Sequence, residues 1–260
     1  MQSNPASSPK PRNETFNPEI TRLPDLTIWR RIFRRLINGL LHLLALILIR
    51  CKLTGLENIP RGRAALLVTN HLGDADMILG MAYTPLSIDV MSKAELRAFP
   101  ILGKLMDAYG VIWVHRGQAD RRAVRAVMDG LSQGRLIAIA PEGRESETGA
   151  LEEGTGGAAY LALKAGVPVV PITYTGTENA VIFANLRHLR RSDVTITIGQ
   201  PFYLDPDPDR RRAVQKGTQK IMSTLASQLP QKYRGVYGGA QAEEGSALLA
   251  VHEVKNDGSG

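Results

Sequence analysis

The chain has 260 residues, 43% of them apolar, enough for one large domain with appendages. A net charge of +7 at pH 7 favours anionic partners, membrane lipid or phosphorylated substrates, while 5% aromatic residues, not interleaved with basic ones, speak against nucleic acid. The single cysteine, Cys51, excludes an internal disulfide and a cysteine-based zinc site.

Residues 1–25 are rich in Ser, Pro, Asn and charge and read as a disordered lead. No signal peptide is expected, because the apolar run begins too late and no small-residue cleavage pattern follows it. Residues 26–52 read as a membrane-associated helical segment. Arg31, Arg35, Asn38 and His42 recur at helical steps and make a polar stripe; Ile28, Trp29, Ile32, Phe33, Leu36, Ile37, Leu40 and Leu41 fill the rest. From Leu43 to Ile49 the segment is apolar all round. That run is too short for a bilayer crossing, which takes about 20 apolar residues. A basic amphipathic helix lying in the interface fits better, with Arg30, Arg31, Arg34 and Arg35 each adding about 1 kcal/mol near an anionic surface. The alternative is a core helix packed on a sheet. The expected location is peripheral or monotopic, on the cytoplasmic face of the cell membrane.

Residues 53–237 read as one α/β domain, and 238–260 as a flexible tail. Ala64–Thr69 is a short apolar run of a buried strand, and Met77–Ala82 reads as a helix. Ile88–Met91 is a strand, Ile101–Tyr109 a short helix ended by Gly110, and Val111–Val114 a strand leading into His115-Arg116-Gly117. An amphipathic helix follows from Ala119 to Ser132. The strand Leu136–Ala140 empties into Pro141-Glu142-Gly143-Arg144-Glu145-Ser146. A Gly-rich stretch then leads into the helix Ala158–Ala165. Val167–Tyr174 is a strand carrying Pro168 and Pro171, so it lies at an edge or pairs irregularly. Val194–Ile198 is the last strand and Asp209–Leu229 the last helix. Strands alternating with helices imply an α/β fold, a mostly parallel sheet covered by helices on both faces.

In such sheets ligands bind outside the carboxyl ends of the strands. Asn70-His71-Leu72-Gly73-Asp74-Ala75-Asp76 lies at one of these ends. On a continuous helix, five steps of about 100° would hold His71 and Asp76 apart. They meet only if His71 is in the loop and Asp76 in the first helical turn, with Asp74 as the N-cap. His71 held by Asp76 suits a general base, the carboxylate fixing the tautomer. No nucleophilic Ser or Cys lies nearby, so the acceptor's own hydroxyl is the expected nucleophile. If the strands are parallel, Arg116 and Arg144 come near His71, and arginine's planar fork suits phosphate. No nucleotide-binding Gly-rich pattern occurs in a strand-to-helix turn.

Four blocks occur in order between about Gly55 and Gly199. They are Asn70, His71 and Asp76; Gly110 to Arg116; Pro141-Glu142-Gly143-Arg144; and Val167-Pro168-Val169-Val170-Pro171 followed by Gly176-Thr177-Glu178. In these blocks the chain resembles the 1-acylglycerol-3-phosphate acyltransferase family, membrane-associated enzymes that acylate glycerophospholipid precursors. Two departures stand out. Gly73 occupies the place of the usual serine, and Arg144 sits one position early, followed by the extra carboxylate Glu145.

The resemblance implies an O-acyltransferase that moves a fatty acyl group from an acyl-CoA or acyl carrier protein thioester to a glycerophospholipid precursor, with 1-acylglycerol 3-phosphate giving phosphatidic acid. No metal or other cofactor is implied. His71 takes the hydroxyl proton and Asp76 orients it. Arg116, with Lys93 or Arg144, holds the acceptor's phosphate, and Glu142 with Gly143 shapes that pocket. An apolar groove beside Val167, Pro168 and Pro171 and the N-terminal helix takes the acyl chain. The rivals are a metal-dependent phosphoester hydrolase using His71, Asp74 and Asp76 as ligands, and a non-enzymatic protein that binds anionic lipid.

Overall fold

The apolar runs pair into one seven-stranded sheet, and the periodic segments cover it. The computed structural model describes residues 18–115 and 120–239. Helix α1 (Ile28–Leu48) passes directly into β1 (Ile49–Thr54). Then come β2 (Ala65–Thr69), α2 (Asp74–Tyr83), β3 (Ile88–Lys93), α3 (Pro100–Tyr109) and β4 (Ile112–Val114). They are followed by α4 (Arg121–Ser132), β5 (Leu136–Ile139), α5 (Gly157–Ala165) and β6 (Val169–Thr175). Last are α6 (Asn179–Arg187), β7 (Ser192–Ile198) and α7 (Arg210–Gln228).

The strand order is β1-β7-β6-β2-β5-β3-β4. Strands β2 to β6 are parallel and end at one edge; β7 runs antiparallel to β6, and β1 parallel to β7. The strands read as continuous apolar runs because both faces are buried. Leu66 and Val68 face α4, α5 and α7, while Ala65 and Leu67 face α1, α2 and α3. Strand β6 is central, not at an edge. Its prolines are accommodated by irregular pairing: the β7 ladder reaches only down to Ile172, Gly199 donates to Pro171 O at 2.8 Å, and Phe202 bridges Val169 beyond. Pro171 therefore sits where no ladder N–H is required.

Several expectations change. Residues 49–52, expected within the helical segment, belong to β1, since pairing with β7 supplies the backbone partners that a frayed helix end lacks. Residues 18–25 are not a disordered stretch: Thr21 is buried, Leu23 packs on the core, and Pro24 O accepts from Arg135 at 2.8 Å. Helix α6 was not expected at all. Residues 1–17 and 240–260, in the lead and the tail, lie outside the described residues.

The arginines of α1 are the largest correction. Arg34 is 1% exposed and donates to Tyr109 O (2.7 Å), Gly110 O (2.9 Å) and Asp89 Oδ1 (2.7 Å). Arg30 donates to Asp25 O and Ala108 O, and Arg31 to Leu26 O. The carbonyls at the carboxyl end of α3 have no intrahelical partners and draw Arg30 and Arg34 inward, while Arg31 and Arg35 stay exposed. Beside them an apolar stripe is left outside: Trp29 is 77% exposed, and Ile32, Leu36, Leu40, Leu43 and Ile47 follow it. Among the described residues no helix is long and apolar enough to cross a membrane.

Candidate active site

The site is built on the loop between β2 and α2. Asn70 is 1% exposed and its amide pairs both ways with the backbone of Tyr174, donating to O (2.9 Å) and accepting from N (2.8 Å). A side chain thus extends the β2–β6 ladder by one step and fixes where the loop departs. Helix α2 starts at Asp74, with Gly73 as N-cap, so Asp74 is the first helical residue rather than the cap. Asp76, in the third position, reaches back to the cap.

Four successive backbone amides are held by side-chain oxygens. His71 N donates to Glu142 Oε1 (3.3 Å), Leu72 N and Gly73 N to Asp76 Oδ2 (2.7 and 3.0 Å), and Asp74 N to Asn179 Oδ1 (3.1 Å). On the same Asp76 oxygen falls His71 Nδ1, at 3.0 Å. His71 O in turn accepts from Ser146 N at 2.8 Å. The loop geometry brings His71 and Asp76 together as their spacing requires.

Glu142 is buried and clamps two loops, taking Glu152 N on its second oxygen at 2.9 Å. Burial pushes its carboxyl up to about 7, against the pull of these amides. Gly143 has φ of 78°, which the turn after β5 demands, and it lines the site. Glu145 also lines the site and accepts from Asn179 Nδ2 at 2.9 Å. Asn179 is a residue that sequence reasoning missed. Its amide joins the α2 start to the turn after β5, and it explains Gly73: a Cβ there would stand 2.8 Å from Asn179 Oδ1 and 2.7 Å from Thr177 O.

A cavity of about 260 Å³ opens at this edge. His71, Asp74, Asp76, Lys93, Gly143 and Glu145 line its polar part, and Leu67, Met81, Val90, Leu96, Ala138 and Ile172 its apolar part. Lys93, at the end of β3, has no carboxylate partner among the described residues. Arg144 does not line the cavity; it pairs with Glu147 and with Glu152 Oε2 at 2.7 Å. Arg116 lies outside the described residues. The residues expected along an acyl groove do not line this cavity. Val167, Pro168, Pro171 and α1 do not line the cavity, which lies instead between the sheet and α2. Alternation turns Val167 and Pro171 to the opposite sheet face, and Pro168 precedes β6 at the far edge. From β6 it is Ile172 and Tyr174 that reach the cavity. Among the described residues no three His, Cys, Asp or Glu side chains are grouped to hold a metal ion.

Residues 50–175, from β1 to β6, match the sequence profile of the Acyltransferase family. Over that stretch the chain is similar to acyltransferases. The chain is 32% identical over 158 residues to the chloroplastic 1-acyl-sn-glycerol-3-phosphate acyltransferase of Brassica napus, covering 57% of this chain and 44% of that one. It is also 32% identical over 136 residues to a lyso-ornithine lipid O-acyltransferase of Pseudomonas aeruginosa, covering 52% of each. The chain spans about half the length of the curated relatives it matches. The crystal structure of the 1-acyl-sn-glycerophosphate (LPA) acyltransferase PlsC from Thermotoga maritima has the same fold, with a TM-score of 0.59 over 78% of this chain and 84% of that chain, at 20% identity.

Proposed function

We propose that the protein transfers a fatty acyl group from an acyl-CoA or acyl carrier protein thioester to a hydroxyl of a glycerophospholipid precursor, giving phosphatidic acid from 1-acylglycerol 3-phosphate. The observation that carries this reading is the His71–Asp76 pair at the mouth of an apolar cavity on the carboxyl edge of the sheet. With Nδ1 turned to Asp76, Nε2 of His71 takes the acceptor's proton as its oxygen attacks the thioester carbonyl. The thiolate then leaves and takes the proton back from the imidazolium. The apolar part of the cavity shelters the acyl chain. Lys93 and Arg116 hold the acceptor's phosphate. The apolar stripe of α1 seats the protein on a phospholipid surface, at the cytoplasmic face of the cell membrane.

A second acceptor fits one observation. Arg144 is engaged by Glu147 and Glu152, while the carboxylates of Asp74 and Glu145 line the cavity. A lysolipid bearing an ammonium group would meet them favourably. The experiment offers purified full-length protein 1-acylglycerol 3-phosphate, glycerol 3-phosphate and lyso-ornithine lipid, with both thioester carriers, and reads products by mass spectrometry. His71→Ala should cut turnover by ~10²–10⁴ while circular dichroism is unchanged. Near-normal turnover in the folded variant removes the mechanism. A product from the ammonium-bearing acceptor alone selects the second acceptor.

A further inference from the structure

We infer that α6 and the basic turn after it form a second membrane-contacting surface, distinct from α1, which meets the headgroup region of an anionic bilayer. The inference rests on the reading that α1 docks on lipid. Helix α6 leaves Val181, Phe183 and Leu186 exposed, and Leu189 in the turn is 91% exposed. Leu189 has φ of 50°, the one non-glycine residue with positive φ among the described residues. The backbone is therefore strained at the same leucine that is held out in solvent. Arg187 and Arg190 flank it and have no carboxylate partner among the described residues. Exposed apolar side chains beside unpaired cations are the composition of an interfacial segment.

Position supports the same occupant. Arg191 Nη2 donates to Leu46 O (2.9 Å) and Ile49 O (2.6 Å), which fastens the turn to the end of α1 and sets Leu189 near the exposed Leu46 and Ile47. The exposed apolar residues of α6 and its turn therefore lie in the same layer as the stripe of α1. Of the exposed large apolar residues described, only Tyr203 and Val236 lie outside the layer that holds α1, α2, α3 and α6 or the turns adjoining it. A helix seated alone can roll about its axis. A second contact beside it stops the roll, and α6 begins at Asn179, which touches both Asp74 and Glu145 of the site. The two contacts together fix how the cavity faces the lipid.

The test uses the full chain with vesicles of phosphatidylcholine alone and with added phosphatidylglycerol. Phe183→Asp with Leu189→Asp should lower partitioning to both vesicles by about tenfold or more. Arg187→Gln with Arg190→Gln should lower it on anionic vesicles only, by about fivefold per residue. Both variants should melt like the parent and turn over a soluble short-chain acceptor at the parent rate. In a Trp29→Phe background, the indole of Leu189→Trp should be quenched by brominated lipid. Parent-like partitioning of both variants, with no quenching, overturns the inference while leaving the α1 reading and the acyltransferase reading standing. A change in oligomeric state without a change in partitioning makes the face a self-interface and also overturns it, as does loss of turnover on the soluble acceptor. A parent that turns over the soluble acceptor yet binds no vesicle overturns both membrane contacts and spares the enzyme.

Discussion

Two carboxylates anchor the loop between β2 and α2 in opposite ways: Asp76 collects three donors on one oxygen, while Glu142 spreads one donor over each of its two. Glu142 is the titrating one. Its carboxyl ordinarily ionises near 4.5, and burial lifts it to about 7 in the folded chain. Between those values the folded state holds a proton that the unfolded state has released. This contribution to stability is therefore complete below the lower value and is lost as pH rises through the upper one. At about 1.4 kcal/mol per pH unit, the decline is of the order of 3 kcal/mol. Glu142→Gln does not titrate and should show no such decline. Chemical denaturation from about pH 5 to about pH 8 reads the difference, and parallel curves would mean that the buried carboxyl does not govern it. His71 and Asp76 were legible in the sequence because five-residue spacing admits one solution, a loop residue facing the first helical turn. Asn179 was not, since it reaches Asp74 from 105 residues away through the strand order.

Helix α1 shows how neighbouring arginines of one helix can be divided between inside and outside: Arg34 is buried while Arg31 and Arg35 are exposed. Its polar stripe and apolar remainder were both plain in the sequence. That Arg34 turns inward depends on Asp89 and on the last carbonyls of α3, and no local pattern announces those partners. The buried Arg34–Asp89 pair, with Arg135 3.5 Å from the other Asp89 oxygen, makes a sharp prediction. Arg34→Gln should cost about 3–5 kcal/mol, the penalty for leaving a buried charge without its partner. Arg35→Gln, at an exposed position, should change stability by less than about 0.5 kcal/mol. Denaturant midpoints compare the two directly, and equal small losses would mean that Arg34 is not carrying the joint. The missed strand β1 has a similar cause, because only β7, far along the chain, identifies it as a strand. Helix α6 escaped because its apolar residues face out instead of forming a buried stripe.

Across the whole molecule the two layers differ: α4, α5 and α7 cover their sheet face with little exposed apolar surface, and the α1 layer does not. Since Arg30 and Arg34 are held within the protein and only Arg31 and Arg35 stay exposed, vesicle binding through α1 should depend mainly on apolar burial, which salt does not screen. Leu36→Asp with Leu40→Asp should release most of the protein from neutral and anionic vesicles alike, and most parent binding should survive high salt. Co-sedimentation over a salt series tests this, and full release of the parent by salt would return the role to the cations. The alternation of strands and helices gave the mostly parallel sheet in advance; the reversed outer pair did not show, because direction is set by connections rather than by composition. That reversed pair governs the order of assembly during synthesis. Arg50 meets Asp193 across 143 residues. At roughly 5–20 residues per second, the ribosome delivers the partner strand on the order of 10 seconds after β1 emerges. The central strands find one another sooner, so the sheet closes last at its first-made strand. Through that interval the helix joined to it already leans on α2 and α3, since Arg34 reaches Tyr109 O across only 75 residues, so the first strand waits for its partner on a helix that is docked.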